Sequence, residues 1–476
     1  MKHKLRITRA IGLIVFLGAF LYLYASDRGP TSLTNYLPSF NPSDIASHKP
    51  APYDSVQSLW AQWRQNFHNA RPRAQPIRLS SNANTIGISL DDHGLREPYD
   101  NRIENTEADI ESLRVSHATI LSAIKAEGVV ENVFNGTGIV MVGGGEYFGP
   151  AIIGLHMLRR TGCTLPVEIF VADATEYEPS VCEDYLPKYG ARCLVLESFL
   201  QDGSGEQTIE ATHYQLKSLA MLFSSFAEIL YLDSDSIPLV DPSELFSADP
   251  YVSKGLVIWP DFWIATESPV FYKIAGISFP SNLPKTSSEA GQLLINKNTH
   301  IKTLILAIYY NSFGPDYYYP LLSQGVLGQG DKETFMAAAL VMGQSYYRVK
   351  TGVTSIGRHN GEEYKGSGMV QHHPSEDFAQ AKAKDKVVIP AFVHANTPKM
   401  NAGHLVDEGD LFTIDRKRLR LWGSKEDQEK RFGSDLENDV WQLLVKTGCE
   451  LENVLGEWKG RERMCARLEE HYKEVF

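Results

Sequence analysis

Two carboxylates one residue apart, Asp233 and Asp235, close an apolar run that starts at Glu228. A carboxylate pair at the point where a buried strand meets solvent can hold a hard divalent cation, and oxygen donors of this kind suit Mg²⁺ or Mn²⁺. Such a cation keeps positions open for phosphate oxygens, so the expected chemistry is sugar transfer from a nucleotide. Composition alone yields about one Asp-x-Asp by chance in a chain of this length. Context distinguishes this one: it is the only such pair in the sequence, and it follows three alternating strand–helix units.

A metal site needs donors from elsewhere in the chain. An apolar run over 387–394 ends at His394, and Lys399 follows five residues later. His394 is a candidate third ligand, and Lys399 a candidate phosphate contact that neutralises the leaving nucleotide. Asp331 and Glu333 open an apolar helical run over 334–342, where the helix dipole favours negative charge. Asp331 could simply cap that helix; otherwise Asp331 or Glu333 faces the reacting sugar or the acceptor hydroxyl. Glu289 and Gln292 flank Gly291 just before the strand-like Leu293, Leu294 and Ile295. They read either as sugar-hydroxyl partners or as part of a plain loop, with Gly291 permitting close backbone approach. Asp261 sits between Trp259 and Trp263, whose rings suit a sugar face or the core. Lys217, on the helix before the Asp pair, could reach phosphate or be solvated.

The elements that must position these groups alternate. Apolar strands are expected near 138–142, 167–173, 191–196 and 228–232, with helices over 151–160, 181–189 and 213–227 between them. This alternation predicts a mostly parallel sheet flanked by helices, with ligands beyond the carboxyl ends of its strands. The net charge of −12 excludes a basic nucleic-acid footprint. Gly143-Gly-Gly145 is neither GxGxxG nor followed by a GKS/T, and no GxSxG, HExxH or CxxC occurs, which removes kinase, Rossmann, hydrolase and zinc readings.

Lys2, Lys4, Arg6 and Arg9 precede an uncharged run over 10–26, which reads as a signal anchor with the rest of the chain luminal. Its short length suits the thinner membranes of the early secretory pathway, and so the Golgi. The expected organisation is a cytosolic tail (1–9), the anchor (10–26), a Pro- and Ser-rich stem (27–75), an N-terminal helical extension (76–135), a catalytic domain (136–405) and a C-terminal helical extension (406–476). Five cysteines allow up to two disulfides and one free thiol, and Cys449–Cys465 would close a short C-terminal loop.

With these residues in view, the chain resembles the fungal Golgi α-mannosyltransferases of glycosyltransferase family 71. The resemblance covers roughly 136–399. It rests on GIVMVGGGEYFGPAIIGLHMLRRTGCTLPVEIF, QLKSLAMLFSSFAEILYLDSDSIPLVDP, WPDFW, EAGQLLINK, YYYPLLSQGVLGQGDKETF and FVHANTPKM. It implies a GT-A-like nucleotide-sugar transferase fold, GDP-mannose as donor, Mn²⁺ as metal, a mannan or N-/O-glycan acceptor, and retention of the α configuration. By the same resemblance Asp233 and Asp235 match the metal-binding pair, and His394 and Lys399 a C-terminal metal and phosphate motif. Asp331 and Glu333 match a GDKE-type segment. Ala290 departs from the Ser expected in many relatives. A UDP-sugar donor and a non-catalytic carbohydrate-binding protein of the same fold are the alternatives left open, as are the α-1,2 and α-1,3 linkages.

Overall fold

The computed structural model describes residues 53–87, 94–127, 133–201, 211–360, 362–380, 387–407, 409–413 and 415–476. The tail, the anchor and the first half of the stem lie outside the described residues. Among the described residues no helix is long and apolar enough to cross a membrane.

The second half of the expected stem is a correction. Helix α1 (Tyr53–Asn69) buries Val56, Leu59, Trp60, Trp63 and Phe67 in the main hydrophobic cluster. These positions recur at helical spacing and make one apolar stripe, a pattern that the polar composition of 27–75 masked. The Trp60 ring lies edge-on to Phe223 at 5.6 Å. Helix α2 (Glu107–Ala126) starts at a capping box between Thr106 and Asp109.

From there the alternation appears as expected. Strand β1 (Thr137–Val142), helix α3 (Phe148–Arg160), β2 (Val167–Val171), β3 (Ala191–Val195), helix α4 (Gln215–Phe223) and β4 (Glu228–Leu232) follow in order. The run 181–189 is not one helix but two short turns, Pro179–Cys182 and Leu186–Tyr189, because Pro187 lacks the donor a continuous helix needs. Next come β5 (Ser236–Pro238), β6 (Leu256–Ile264), β7 (Thr286–Asn296), helix α5 (Lys297–Ser312) and helix α6 (Thr334–Met342). Strands β8 (Tyr347–Arg348), β9 (Thr354–Asn360), β10 (Glu363–His372) and β11 (Pro390–His394) complete the sheets.

The seven-stranded sheet has the order β3-β2-β1-β4-β7-β6-β8. Strands β3, β2, β1 and β4 pair in parallel, and β7 runs antiparallel to both β4 and β6. A four-stranded antiparallel sheet, β5-β11-β10-β9, stands beside it. The chain passes from the first sheet to the second within Asp233–Asp235, where the Ser236 amide bonds back to the Asp233 carbonyl at 2.9 Å.

Helices α7 (Leu436–Leu451) and α8 (Met464–Val475) are joined by the disulfide Cys449–Cys465, and α7 packs on α3. A second disulfide links Cys182 to Cys193, and Cys163 is a buried free thiol. The C-terminal extension is tied to the catalytic unit through Asn401. This residue accepts from Trp458 Nε1 at 3.0 Å and donates to the Glu146 carbonyl at 2.8 Å.

Candidate active site

The junction between the two sheets builds the site. Strand β4 delivers Asp233 at its carboxyl end, where the Asp233 amide bonds to the Gly291 carbonyl of β7 at 2.8 Å. Strand β11 pairs with β5 so that His394 lies opposite Ser236, and the Ala395 amide bonds to the Asp235 carbonyl at 2.9 Å. Donor atoms of Asp233, Asp235 and His394 all lie within 4.8 Å of one another. Two carboxylates and an imidazole at that spacing fit a divalent cation of the Mg²⁺ or Mn²⁺ type.

His394 is held from both sides. Its Nε2 lies 3.1 Å from Asp235 Oδ1, and its Nδ1 lies 3.1 Å from Glu289 Oε1. Glu289 is fixed in turn by the Gly291 amide and by Gln292 Nε2, both at 2.6 Å. A carboxylate behind a metal-binding imidazole sets its tautomer and orientation. Gly291 is required at its position: an added Cβ would lie 2.6 Å from His394 Nδ1. The segment Glu289–Gln292 is therefore strand, not loop. Glu289 turns to His394 and Gln292 is fully buried, so neither is placed to meet a sugar hydroxyl.

Lys399 pairs with Asp235 and lies 5.4 Å from the centroid of the Tyr147 ring, in the loop after β1. Burial alone would raise the pKa of Asp235. His394 and then Lys399 outweigh it and hold the carboxyl well below the usual range. Burial likewise opposes the charge on His394, but Asp235 and Glu289 raise its pKa above that of an ordinary imidazole.

Lys217 is not solvated. It projects from α4 into the site and is 6% exposed. Its Nζ lies 3.2 Å from Asp233, 2.9 Å from Asp331 and 2.7 Å from the Ala290 carbonyl. Burial would lower its pKa, yet Asp233 and Asp331 raise it, so it remains a fixed cation. Asp331 thus joins the site, and its side chain does not cap the following helix. Burial, with Asp233 adding and Lys217 opposing, raises its pKa.

Glu333 goes elsewhere. It is 1% exposed, accepts from the Ser288 amide at 2.8 Å, and lies in a buried cluster with Arg96 and Glu267. Arg96 pairs with Glu267 at 2.7 Å, and Tyr272 donates to the same carboxylate at 2.5 Å. Burial first, then the neighbouring Glu267 charge, pushes the Glu333 carboxyl up to about 7. Asp261 pairs with Lys332 at 2.6 Å, beside Ser287, and among the described residues neither is bonded to Asp233, Asp235 or His394. Tyr231 was missed by sequence reasoning: its hydroxyl donates to Asp233 at 2.8 Å. Strand alternation carried that signal, since residues two apart share a face. Arg96, far away in sequence and in a polar segment, carried none.

A mostly parallel sheet with an acidic pair at the end of its β4 strand is the GT-A-like architecture of a nucleotide-sugar transferase. Residues 136–286 and 277–375 match the family described as "Mannosyltransferase putative". Alpha-1,2-mannosyltransferase MNN21 of Candida albicans is 32% identical, over 80% of this chain and 69% of that protein. Alpha-1,2-mannosyltransferase MNN24 of the same organism is 37% identical, over 79% and 66%. Alpha-1,2-mannosyltransferase MNN2 of Saccharomyces cerevisiae is 35% identical over 58% of this chain, which spans only 52% of that relative. The chain belongs to this mannosyltransferase family. Solved structures are more distant: the glycosyltransferase GlyE of Streptococcus pneumoniae TIGR4 is 15% identical with a TM-score of 0.29, over 45% of each chain.

Proposed function

We propose that this chain transfers mannose from GDP-mannose to a hydroxyl of a mannose-terminated glycan. The proposed reaction retains the α configuration, makes an α-1,2 linkage and requires Mn²⁺ or Mg²⁺. The observation that carries the reading is the convergence of Asp233, Asp235 and His394 from two sheets, with donor atoms within 4.8 Å. The α-1,2 linkage follows the names of the relatives.

Asp233, Asp235 and His394 would hold the cation, which supplies positive charge against the diphosphate. Lys399, the more exposed of the two lysines, binds phosphate and neutralises charge on the departing GDP. Lys217 fixes Asp233 and Asp331 relative to each other. Asp331 orients the reacting sugar or the acceptor hydroxyl, and Glu289 keeps the His394 ring aimed at the ligand position. The uncharged run 10–26 fits an anchor that would leave this site in the Golgi lumen.

The test is product analysis with the full chain, GDP-mannose, mannobiose and Mn²⁺. The expected product is a trisaccharide with a new α-1,2 bond, lost on chelation and restored by Mn²⁺. Transfer from UDP-glucose or UDP-GlcNAc in preference to GDP-mannose overturns the donor assignment. Undiminished transfer after exhaustive chelation overturns the metal assignment.

A further inference from the structure

A lysine carries its point charge on a long, flexible stem, so where Lys399 delivers that charge depends on what bounds it. Two groups do so. Its Nζ pairs with Asp235, and the Tyr147 ring lies 5.4 Å away, within the range of a cation–π contact. The sheet junction sets Asp235. Tyr147 and Lys399, however, come from two separate loops, one after β1 and the other after β11.

Asn401 joins those loops. It is fully buried. Its Nδ2 donates to the Glu146 carbonyl at 2.8 Å and to Glu457 Oε1 at 3.1 Å. Its Oδ1 accepts from the Gly403 amide at 3.0 Å and the His404 amide at 3.4 Å, which caps the short helix Ala402–Leu405. The same oxygen accepts from Trp458 Nε1 at 3.0 Å. The Asn401 backbone amide bonds to the Lys399 carbonyl at 2.7 Å. One side-chain amide thus fixes the residue before Tyr147 against the turn that carries Lys399.

Trp458, in the turn Gly456–Trp458 between α7 and α8, closes the arrangement. Its indole is fully buried and wedged between two glycines. A Cβ at Gly149, in the first turn of α3, would lie 2.8 Å from Trp458 Cζ2, and a Cβ at Gly403 would lie 2.6 Å from Trp458 Cδ1. The ring therefore packs on the segment after Tyr147 and on the segment after Asn401 at once. Its N–H also selects one orientation of Asn401. The amide oxygen must face the indole donor, which turns the amide nitrogen to the Glu146 carbonyl.

We propose that Asn401 and Trp458 are positioning residues for the donor: through them the C-terminal extension sets Lys399 beside the Tyr147 ring and fixes where the diphosphate binds. Only the role of Lys399 as a phosphate contact rests on the function proposed above. The experiment uses the full chain with Mn²⁺. It titrates GDP by calorimetry and measures KM for GDP-mannose and for mannobiose. Trp458→Phe keeps a ring in the wedge and removes the N–H. Asn401→Asp keeps the outline and the acceptor and removes the donor to Glu146. Trp441→Phe, at a buried position on α7, is the control for lost packing in the extension.

Both tryptophan variants should melt below wild type. GDP affinity is expected to fall about tenfold in Trp458→Phe and in Asn401→Asp, since small misplacements of a binding group are costly. KM for GDP-mannose should rise with it, and KM for mannobiose should stay unchanged. Trp441→Phe should bind GDP as wild type does. In a Lys399→Met background Trp458→Phe should add no further loss, because both changes act on one contact. Undiminished GDP affinity in folded Trp458→Phe, an equal loss in Trp441→Phe, or additive losses with Lys399→Met overturns the positioning role and leaves the proposed function standing. Wild type that binds UDP in place of GDP, with that affinity lowered in Trp458→Phe and kept in Trp441→Phe, would uphold the positioning role while sinking the GDP-mannose assignment.

Discussion

Two buried clusters of acids and bases lie either side of the turn Asp331–Glu333, and they behave in opposite ways. On one side Asp235, His394, Glu289, Lys217 and Lys399 alternate in sign, and the carboxyls of Asp235 and Glu289 are held below their usual range. On the other side Glu333 and Glu267 share the Arg96 charge, and Glu333 is pushed up to about 7. Asp331 and Glu333 are two residues apart on one short turn, yet each belongs to a different cluster. Burial penalises charge in both places; Asp235 and Glu289 each bond His394 directly, whereas Glu333 lies beside the like charge of Glu267. In the first cluster Asp235 and Glu289 stay ionised beside His394, while burial and the Asp233 charge push Asp331 up. The other is internal: Glu333 accepts from the Ser288 amide, and Arg96 and Tyr272 hold Glu267.

The largest effect should come from breaking the first cluster at its ligands. Asp235→Asn is expected to lower transfer at least about 100-fold, the scale seen when a charge-stabilising group is removed. Far-UV circular dichroism should remain native. Near-normal turnover in that variant would remove Asp235 from the site.

Lys217→Met comes next. It leaves Asp331 and Asp233 facing each other without their shared cation, and loss of one partner from a buried pair costs about 3–5 kcal/mol. Urea denaturation should show that loss, with kcat falling at the same time. A variant as stable as wild type would mean that Lys217 is not the bridge between them.

Glu289→Gln is milder, because the amide keeps the shape but not the charge behind His394. Metal affinity should weaken about 10–100-fold, and excess Mn²⁺ should recover the rate. Titration calorimetry with Mn²⁺ reads this directly, and an unchanged affinity would strip Glu289 of its positioning role.

Glu333→Gln sharpens the contrast from the other side and should cost little activity, within a few-fold of wild type. Its signature is the pH dependence of stability. The native carboxyl keeps its proton up to about 7, against the ordinary 4.5 of a glutamate in an unfolded chain. Between those values the folded state holds a proton that the unfolded state has lost, so stability falls as pH rises through the window. Melting temperatures at pH 5 and pH 8 should differ less in the variant than in wild type. A hundredfold loss of transfer would instead return Glu333 to the reacting groups.

The sequence by itself determined the parallel part of the large sheet, β1 to β4, its strand–helix alternation and the place of Asp233 and Asp235 at a strand end. Those features are local: apolar periodicity, turn residues and a carboxylate pair are written in consecutive positions. It also determined that His394 ends a strand and that Lys399 follows it closely. Only the tertiary structure decided that β11 pairs with β5, which sets His394 beside Asp235 across a separation of 159 residues. It alone turned Lys217 inward, gave Glu289 to His394, and separated Asp331 from Glu333. It also drew α1 into the core, where polar composition suggested a stem. The reason is the same in each case: burial and ion pairing depend on which elements meet, and spacing along one chain does not encode that meeting.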